Sequence, residues 1–290
     1  MESLAAVGLT GAMTDIDTTS PILVTGGTGK TGRRVAARLR AGGFPVRSGS
    51  RSASPPFEWA DPATWDAALR GAAAAYVVYY PDLAFPGAAD TLGAFAAAAT
   101  RHGLRRLVLL SGRGEEEAVV SEKAVQAEFP AATVLRASWF AQNFSEHFLL
   151  QPVLDGVIAL PAGDVPEPFV DAEDIADVAV AALTGDGHAG AVYELTGPRA
   201  LTFGDAAGEI ARAAGRPVVY LPVSAAEYRE AALAAGVPAE EVEPLTDLFT
   251  RVLDGRNSAT SGDVARVLGR PARDFADYAA ATAPSGVWRA

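Results

Sequence analysis

The sequence predicts an α/β fold in which helices cover both faces of a parallel sheet, and three observations carry that reading. Short apolar runs alternate with helix-period segments from residue 21 to about residue 136. The first such run, Ile22-Leu23-Val24-Thr25, ends in Gly26-Gly27-Thr28-Gly29 and leads straight into a helical pattern. The chain has 290 residues, 49% of them hydrophobic and 20% charged, enough apolar material for a large core.

The elements follow in order. Pro21 to Thr25 reads as a buried parallel strand. From Thr31 to Arg40, Val35, Ala36 and Leu39 recur at helical spacing until Gly42-Gly43 stops them. Phe44 to Ser48 reads as a second strand and Phe57 to Trp59 as a short third one, followed by a helix from Thr64 to Leu69. Ala74 to Tyr80 is a strand stopped by Pro81, Ala88 to Arg101 a helix closed by Gly103, and Arg106 to Leu110 a strand ended by Ser111-Gly112. A helix from Glu115 to Glu128 and a strand from Thr133 to Arg136 complete the alternation.

Beyond Arg136 prolines recur and the elements shorten, with helices expected over Glu173–Leu183 and Phe203–Ala214. The expected organisation is a flexible extension over 1–20, a nucleotide-binding domain over 21–150, and a smaller, mostly helical substrate region over 151–290 interleaved with the last strands. A net charge of −11 repels phosphate backbones and anionic lipid, which argues against nucleic acid or membrane as partner. The chain has no cysteine, so disulfides, thiolate metal sites and a cysteine nucleophile are excluded. No apolar run approaches the ~18 residues of a membrane span, and residues 1–20 lack the basic start of a secretory signal, so a cytoplasmic protein is expected. The three histidines, His102, His147 and His188, lack metal-ligand spacing, and no metal is expected. Oligomeric state is not legible.

Strand, glycine loop and helix together form the context that a dinucleotide fingerprint requires. In Gly26-x-x-Gly29-x-x-Gly32, one glycine permits the tight turn, one lets backbone approach a pyrophosphate, and one lets helix pack on strand. The helix start adds unpaired N–H groups and about half a positive charge. Gly26, Thr28, Gly29, Lys30, Thr31 and Gly32 are therefore the expected phosphate contacts, in a doubly wound sheet of the Rossmann type. A P-loop does not fit, because the four-residue gap between its glycines is missing. No acidic residue lies between Gly26 and Phe57 to hold a ribose 2′-hydroxyl. Ser50-Arg51-Ser52 stands there instead and suits the 2′-phosphate of NADP(H), with Arg33 or Arg34 as further candidates. Asp61 is placed either to receive the adenine amine or to cap the helix after Pro62.

Leu23 to Gly32 resembles the NmrA-like branch of the atypical short-chain dehydrogenases/reductases. Thr133-Val134-Leu135-Arg136 with Trp139-Phe140 and Asn143-Phe144 is similar to another segment of that branch, as are Pro168-Phe169-Val170-Asp171 with Asp174-Ile175-Ala176, and Tyr193 to Pro198. The similarity runs from about residue 21 to residue 278. Ser50-Arg51-Ser52, Trp59-x-Asp61-x-x-Thr64-Trp65 and Tyr79-Tyr80-Pro81 narrow it to the agroclavine and festuclavine dehydrogenase type. That resemblance implies NADPH-dependent reduction of a C=N or C=C bond in a polycyclic natural product.

Typical short-chain reductases protonate an alkoxide with a Tyr-x-x-x-Lys pair. Here Ser111 fills the serine position, but Val119 stands four residues before Lys123, so the pair is missing. The resemblance would put a basic residue near Ala118, and Lys123 reads as a solvated helix lysine. A ketone needs an acid, whereas an iminium ion is simply neutralised by hydride and an enone can take its proton from water. The gap therefore favours C=N, C=C or quinone acceptors. It also leaves open a dinucleotide-binding redox sensor, or a non-redox cyclase or isomerase on the same fold. Ligands of open α/β sheets sit beyond the carboxyl ends of the strands. Tyr79 and Tyr80 fall beside the expected nicotinamide, and Tyr80, Ser111, Trp139, Phe140, Asn143 and His147 are candidates to line the pocket for an aromatic or polycyclic acceptor, with Ser111 the catalytic candidate. Phe140 and Phe144 read more readily as core, and Tyr79 and Tyr80 equally as core or pocket. His102 reads as a helix C-terminal residue and His188 as solvated in its glycine loop. No Gly-x-Ser-x-Gly elbow is present, which argues against a serine hydrolase.

Overall fold

The computed structural model describes residues 19–289; all of the expected extension except Thr19 and Ser20 lies outside the described residues. The nucleotide half runs β1 (Ile22–Thr25), α1 (Lys30–Ala41), β2 (Val46–Gly49), α2 (Ala63–Leu69), β3 (Ala74–Val77), α3 (Ala88–Arg101), β4 (Arg106–Gly112), α4 (Glu116–Glu128) and β5 (Thr133–Ala137). Short helices α5 (Asn143–Glu146) and α6 (Leu150–Asp155) lead to β6 (Val157–Leu160), α7 (Ala172–Thr184) and β7 (Val192–Leu195). The chain continues through α8 (Phe203–Ala214), β8 (Val219–Pro222), α9 (Ala225–Ala234), α10 (Ala239–Asp247), α11 (Asp263–Leu268) and α12 (Phe275–Thr282).

The main sheet has the order β2-β1-β3-β4-β5-β7 and is parallel throughout; β6 and β8 pair in a separate parallel ribbon. The central strands β1 and β3 are buried on both faces, which is why they are continuous apolar runs, whereas β2 and β7 at the edges are only partly buried. Leu23, Ala75, Val77, Leu107, Leu109 and Val134 face Trp65, Leu92, Phe95 and Val125 of α2, α3 and α4. The alternate residues Ile22, Val24, Tyr76, Val108 and Leu135 face Val35 and Leu39 of α1, Ile175 and Ala179 of α7, and Val264 of α11. A third core gathers Trp139, Phe144, Phe169, Phe203, Phe249, Phe275 and Trp288 under the C-terminal helices. Among the described residues no helix is long and apolar enough to cross a membrane.

The sheet reverses its strand order between β1 and β3, so a crevice opens beyond their carboxyl ends. Thr25 pins this point: its hydroxyl accepts from the Val78 amide at 2.7 Å and lies 3.0 Å from the Val78 carbonyl, to which it donates. Two expectations are corrected here. The strand over Phe57 to Trp59 is reduced to a single bridge between Glu58 and Asp61. Its rings pack edge-on instead: Trp59 stands 4.9 Å from Phe57 and 5.1 Å from Phe95, and the Glu58 carbonyl accepts from the Trp65 indole. The strand expected to reach Tyr80 ends at Val77, which leaves Val78 to Tyr80 as irregular chain over the crevice.

Candidate dinucleotide and acceptor site

The glycine loop closes through a 2.8 Å bond from the Gly29 amide to the Gly26 carbonyl, with Gly26 at φ +61. Gly32 packs so tightly under this turn that a Cβ there would stand 2.2 Å from the Gly26 oxygen. Gly29 caps α1 with no side-chain hydrogen bond and the first turn holds no acid, so the helix start is left to an external anion. Thr28 and Gly29 are exposed on the crevice side, and Thr31 is buried beneath them.

At the end of β2, Ser50 and Ser52 bring their hydroxyls within 3.4 Å of each other, and a turn closed by Ala53 and Phe57 amides on the Ser50 carbonyl presents Arg51 to solvent. Among the described residues Arg51 forms no ion pair. Arg33 and Arg34 do not join it, contrary to expectation. Both grip Glu146, at 2.5 and 2.7 Å, and Arg34 also holds Glu173 at 2.6 Å. Although burial opposes it, hydrogen bonds from Arg34 and Arg33 hold Glu146 below the usual carboxylate range. The two arginines tie α1 to α5 and α7 instead of adding to a phosphate site. Asp61 takes the capping role: its carboxylate accepts from the Ala63 amide at 3.1 Å at the start of α2, and nothing directs it toward a base. Tyr79 is half-buried against Trp59 at 5.1 Å, whereas Tyr80 is 80% exposed and free to wall the crevice.

On the acceptor side, Ser111 is buried and its hydroxyl donates to Glu122 Oε1 at 2.6 Å. Glu122 is itself 2% exposed and held by the Arg136 guanidinium, Nη2 to Oε2 at 2.6 Å. This interior ion pair engages the hydroxyl that the sequence nominated for catalysis. Trp139 belongs to the third core, 5.2 Å from Phe249 and 5.8 Å from Phe203, and Phe140 packs toward the α7 face. Trp139 is buried, whereas Phe140 and Asn143 are each partly exposed. Asn143 Oδ1 accepts from Lys30 Nζ at 2.8 Å, joining the glycine loop to the segment after β5. The helix face expected to carry both Asn143 and His147 is absent, because α5 stops at Glu146 and His147 is extended at φ −152. His147 still reaches the same rim, where partial burial and then the Lys30 charge lower its pKa.

The remaining assignments sort simply. His188 is not solvated: its Nδ1 lies 2.8 Å from the Tyr193 hydroxyl. His102 ends α3 and meets Asp66 at 2.8 Å, and Lys123 is exposed on α4. Among the described residues no cluster of three acids or histidines could hold a metal. Sequence reasoning missed Glu167, which is 1% exposed, accepts the Trp139 amide at 3.3 Å, and is pushed up to about 7 by burial. A lone acid between Pro166 and Pro168 in an apolar stretch was the available signal.

No family model matches the chain. It is 35% identical over 281 residues to the uncharacterized oxidoreductase YesF of Bacillus subtilis, covering 91% of this chain and 96% of that one. It is 33% identical to a (4-alkanoyl-5-oxo-2,5-dihydrofuran-3-yl)methyl phosphate reductase of Streptomyces griseus, covering 89% and 96%. It is 31% identical to the agroclavine dehydrogenase of Claviceps fusiformis, covering 89% and 95%. Among solved structures, a Citrobacter triphenylmethane reductase complexed with NADP(H) superposes with a TM-score of 0.73 at 22% identity, covering 90% of this chain and 99% of that one. A mutant NmrA superposes at 0.68 and 18% identity, covering 92% and 96%.

Proposed function

The chain belongs to the NmrA-like branch of the atypical short-chain dehydrogenases/reductases, close to the ergot-alkaloid reductases, and we propose that it is an NADPH-dependent reductase of a small polycyclic or quinonoid acceptor. The observation that carries the cofactor assignment is Arg51. It stands without an ion pair at the end of β2, flanked by two hydroxyls, in a stretch from Gly26 to Phe57 that has no carboxylate. A guanidinium left free in a chain of net charge −11 supports a bound phosphate there. The backbone agrees: a turn that tolerates no Cβ at Gly32 lies under an uncapped helix start.

NADPH, when bound, supplies a hydride. The amides at Lys30 to Gly32 would hold its pyrophosphate, and Arg51 with Ser50 and Ser52 its 2′-phosphate. Tyr80, Asn143 and His147 would border the acceptor. The work of these residues is positioning and exclusion of water, which can supply much of a hydride-transfer barrier when both reactants are held in line. With Ser111 bonded to Glu122 and no Tyr-x-x-x-Lys pair, the site suits C=N, C=C and quinone acceptors better than ketones. The agroclavine dehydrogenase, the dihydrofuranylmethyl phosphate reductase and the triphenylmethane reductase that it resembles are each named for a small organic substrate.

The test follows NADPH absorbance with a panel comprising a cyclic iminium salt, a butenolide, a naphthoquinone and a simple ketone. Turnover of one of the first three, with the ketone inert, supports the reading. Tight NADPH binding with no turnover of any acceptor would replace it with the redox-sensor reading, which then requires different affinities for NADP+ and NADPH.

A further inference from the structure

Lys30 is one of two lysines in the chain, and the other, Lys123, lies exposed on α4. It is the first residue of α1, where the helix dipole opposes a cation. Its ammonium nevertheless turns across the crevice and donates to Asn143 at 2.8 Å, at the mouth of the acceptor region. Among the described residues it forms no ion pair. The groups facing it are Arg33 and Arg34 from α1, and Glu146 and His147 from the segment after β5. Glu146, which both arginines also grip, is the strongest charge acting on Lys30 and favours its ammonium form, but burial outweighs it. Burial, with Arg33 and Arg34 against the pull of Glu146, brings the Lys30 amine down to about 8. An acid of that strength donates and recovers a proton near neutral pH.

We infer that the Lys30 ammonium is the proton donor that completes reduction of a neutral, carbonyl-conjugated acceptor, a quinone or an enone. The inference rests on the reductase reading above. The acceptor takes a hydride, hydrogen and electron pair together, and NADPH is oxidised to NADP+. Negative charge then collects on the acceptor's carbonyl oxygen. An N–H bond of Lys30 breaks as the O–H bond forms, giving a hydroquinone from the quinone or an enol from the enone. Lys30 is left neutral, and a solvent proton restores it. An iminium acceptor needs none of this, because hydride alone makes it a neutral amine.

The experiment compares wild type with Lys30→Met and Lys30→Arg, using menadione and a preformed cyclic iminium salt. NADPH affinity is measured by calorimetry, and kcat is measured across pH 6–10. Removing a general acid costs about 10²–10⁴-fold. Both variants should lose at least about 100-fold in kcat on menadione, since arginine does not deprotonate in proteins. At saturating NADPH, with occupancy fixed from the measured Kd, the ratio of menadione kcat to iminium kcat should fall at least about 30-fold in Lys30→Arg. In the wild type, menadione kcat should fall about tenfold per unit above the pKa that Lys30 has in the cofactor complex, while iminium kcat stays flat. Selective 15N-lysine titration of the free protein should show one amine titrating near 8. Equal losses on both acceptors that track a weakened Kd, with Lys30→Arg active, would make Lys30 a phosphate anchor and overturn the proposal. Reduction of the iminium but not menadione by the wild type would also overturn it, and would leave the reductase reading standing. Inertness toward every acceptor would remove both.

Discussion

Replacing Gly32 with alanine tests the nucleotide site at its tightest point. The new Cβ would lie 2.2 Å from the Gly26 oxygen, 2.7 Å from the Gly26 carbonyl carbon and 3.0 Å from the Gly27 Cα. All three are backbone atoms, so no side chain can swing aside. Relief requires loop and helix start to separate by about 1 Å, since carbon contacts are unstrained only near 3.5 Å. Overpacking of this kind costs about 1–3 kcal/mol, a melting-temperature loss of several degrees. Binding suffers more. The same displacement carries the loop amides out of range of a phosphate, and each charge-assisted hydrogen bond contributes about 1.5–3 kcal/mol. Losing two weakens NADPH by about 100-fold or more.

Gly208→Ala in the middle of α8 is the control of opposite sign, because its Cβ would meet nothing within 4 Å. Helix propensity then favours the variant by up to about 1 kcal/mol, and cofactor affinity should not change. Calorimetry and thermal melts with and without NADPH read both quantities. A Gly32→Ala protein that binds NADPH within threefold of wild type would refute the placement of the phosphates on this turn.

Other substitutions separate holding from chemistry. Arg51→Ala removes no intramolecular partner, so the melting temperature should not move, while NADPH should weaken by about 10–150-fold and NADH should not; equal weakening of both would dissociate Arg51 from the 2′-phosphate. Ser111→Ala deletes the 2.6 Å bond to Glu122 and should cost about 1–3 kcal/mol of stability, with kcat within about threefold. A 100-fold kcat loss at unchanged stability would instead make the hydroxyl catalytic. Glu167 is raised in the folded state, to about 7 from 4.5, so the native protein holds this proton where the unfolded chain has released it. Its contribution is present below the unfolded value, declines as pH rises between 4.5 and 7, and can reach about 3 kcal/mol. In chemical denaturation, Glu167→Gln should flatten that slope and be more stable than wild type at pH 8; an unchanged slope would mean that the carboxylate is solvated.

What the sequence shows and what it hides divide along a physical line. The glycine loop was legible because its spacing expresses a steric demand made within seven residues. The helices over Ala88–Arg101 and Phe203–Ala214 were legible to the residue because glycine punctuation or capping residues fix their ends. Arg51 is presented to solvent, and no carboxylate among the described residues pairs with it. Arg33 and Arg34 looked equivalent to it in sequence, yet α5 and α7 bring Glu146 and Glu173 to them from more than a hundred residues away. Ser111 was nominated by position, and α4 and β5 supplied Glu122 and Arg136 to occupy it. The false strand at Phe57 had the composition of a strand; what it lacked was a neighbour with open backbone groups, and Trp65 and Phe95 offered its rings better packing.

In the proposed reductase, a site without the usual tyrosine and lysine would meet acceptors of different proton demand. Hydride transfer asks the protein for alignment and dryness, and the Gly26–Gly32 turn, with no room for a Cβ at Gly32, would fix the cofactor side of that alignment. Proton transfer asks for a group whose acidity lies near ambient pH. Arg33 and Arg34 beside the crevice are held by carboxylates, Arg51 is assigned to the 2′-phosphate in the proposed reductase, and His147 stands at the rim with its proton weakened by burial and then by Lys30. That leaves the lysine amine as the group able to change charge without unfolding an ion pair. Cationic acceptors therefore depend on the cofactor half of the site alone, while neutral ones depend also on the contact between Lys30 and Asn143. Asn143→Leu should accordingly slow quinone reduction more than iminium reduction, by the few-fold to tenfold expected when a proton donor loses its positioning bond. Equal slowing of both would place Asn143 against the acceptor rather than behind the lysine.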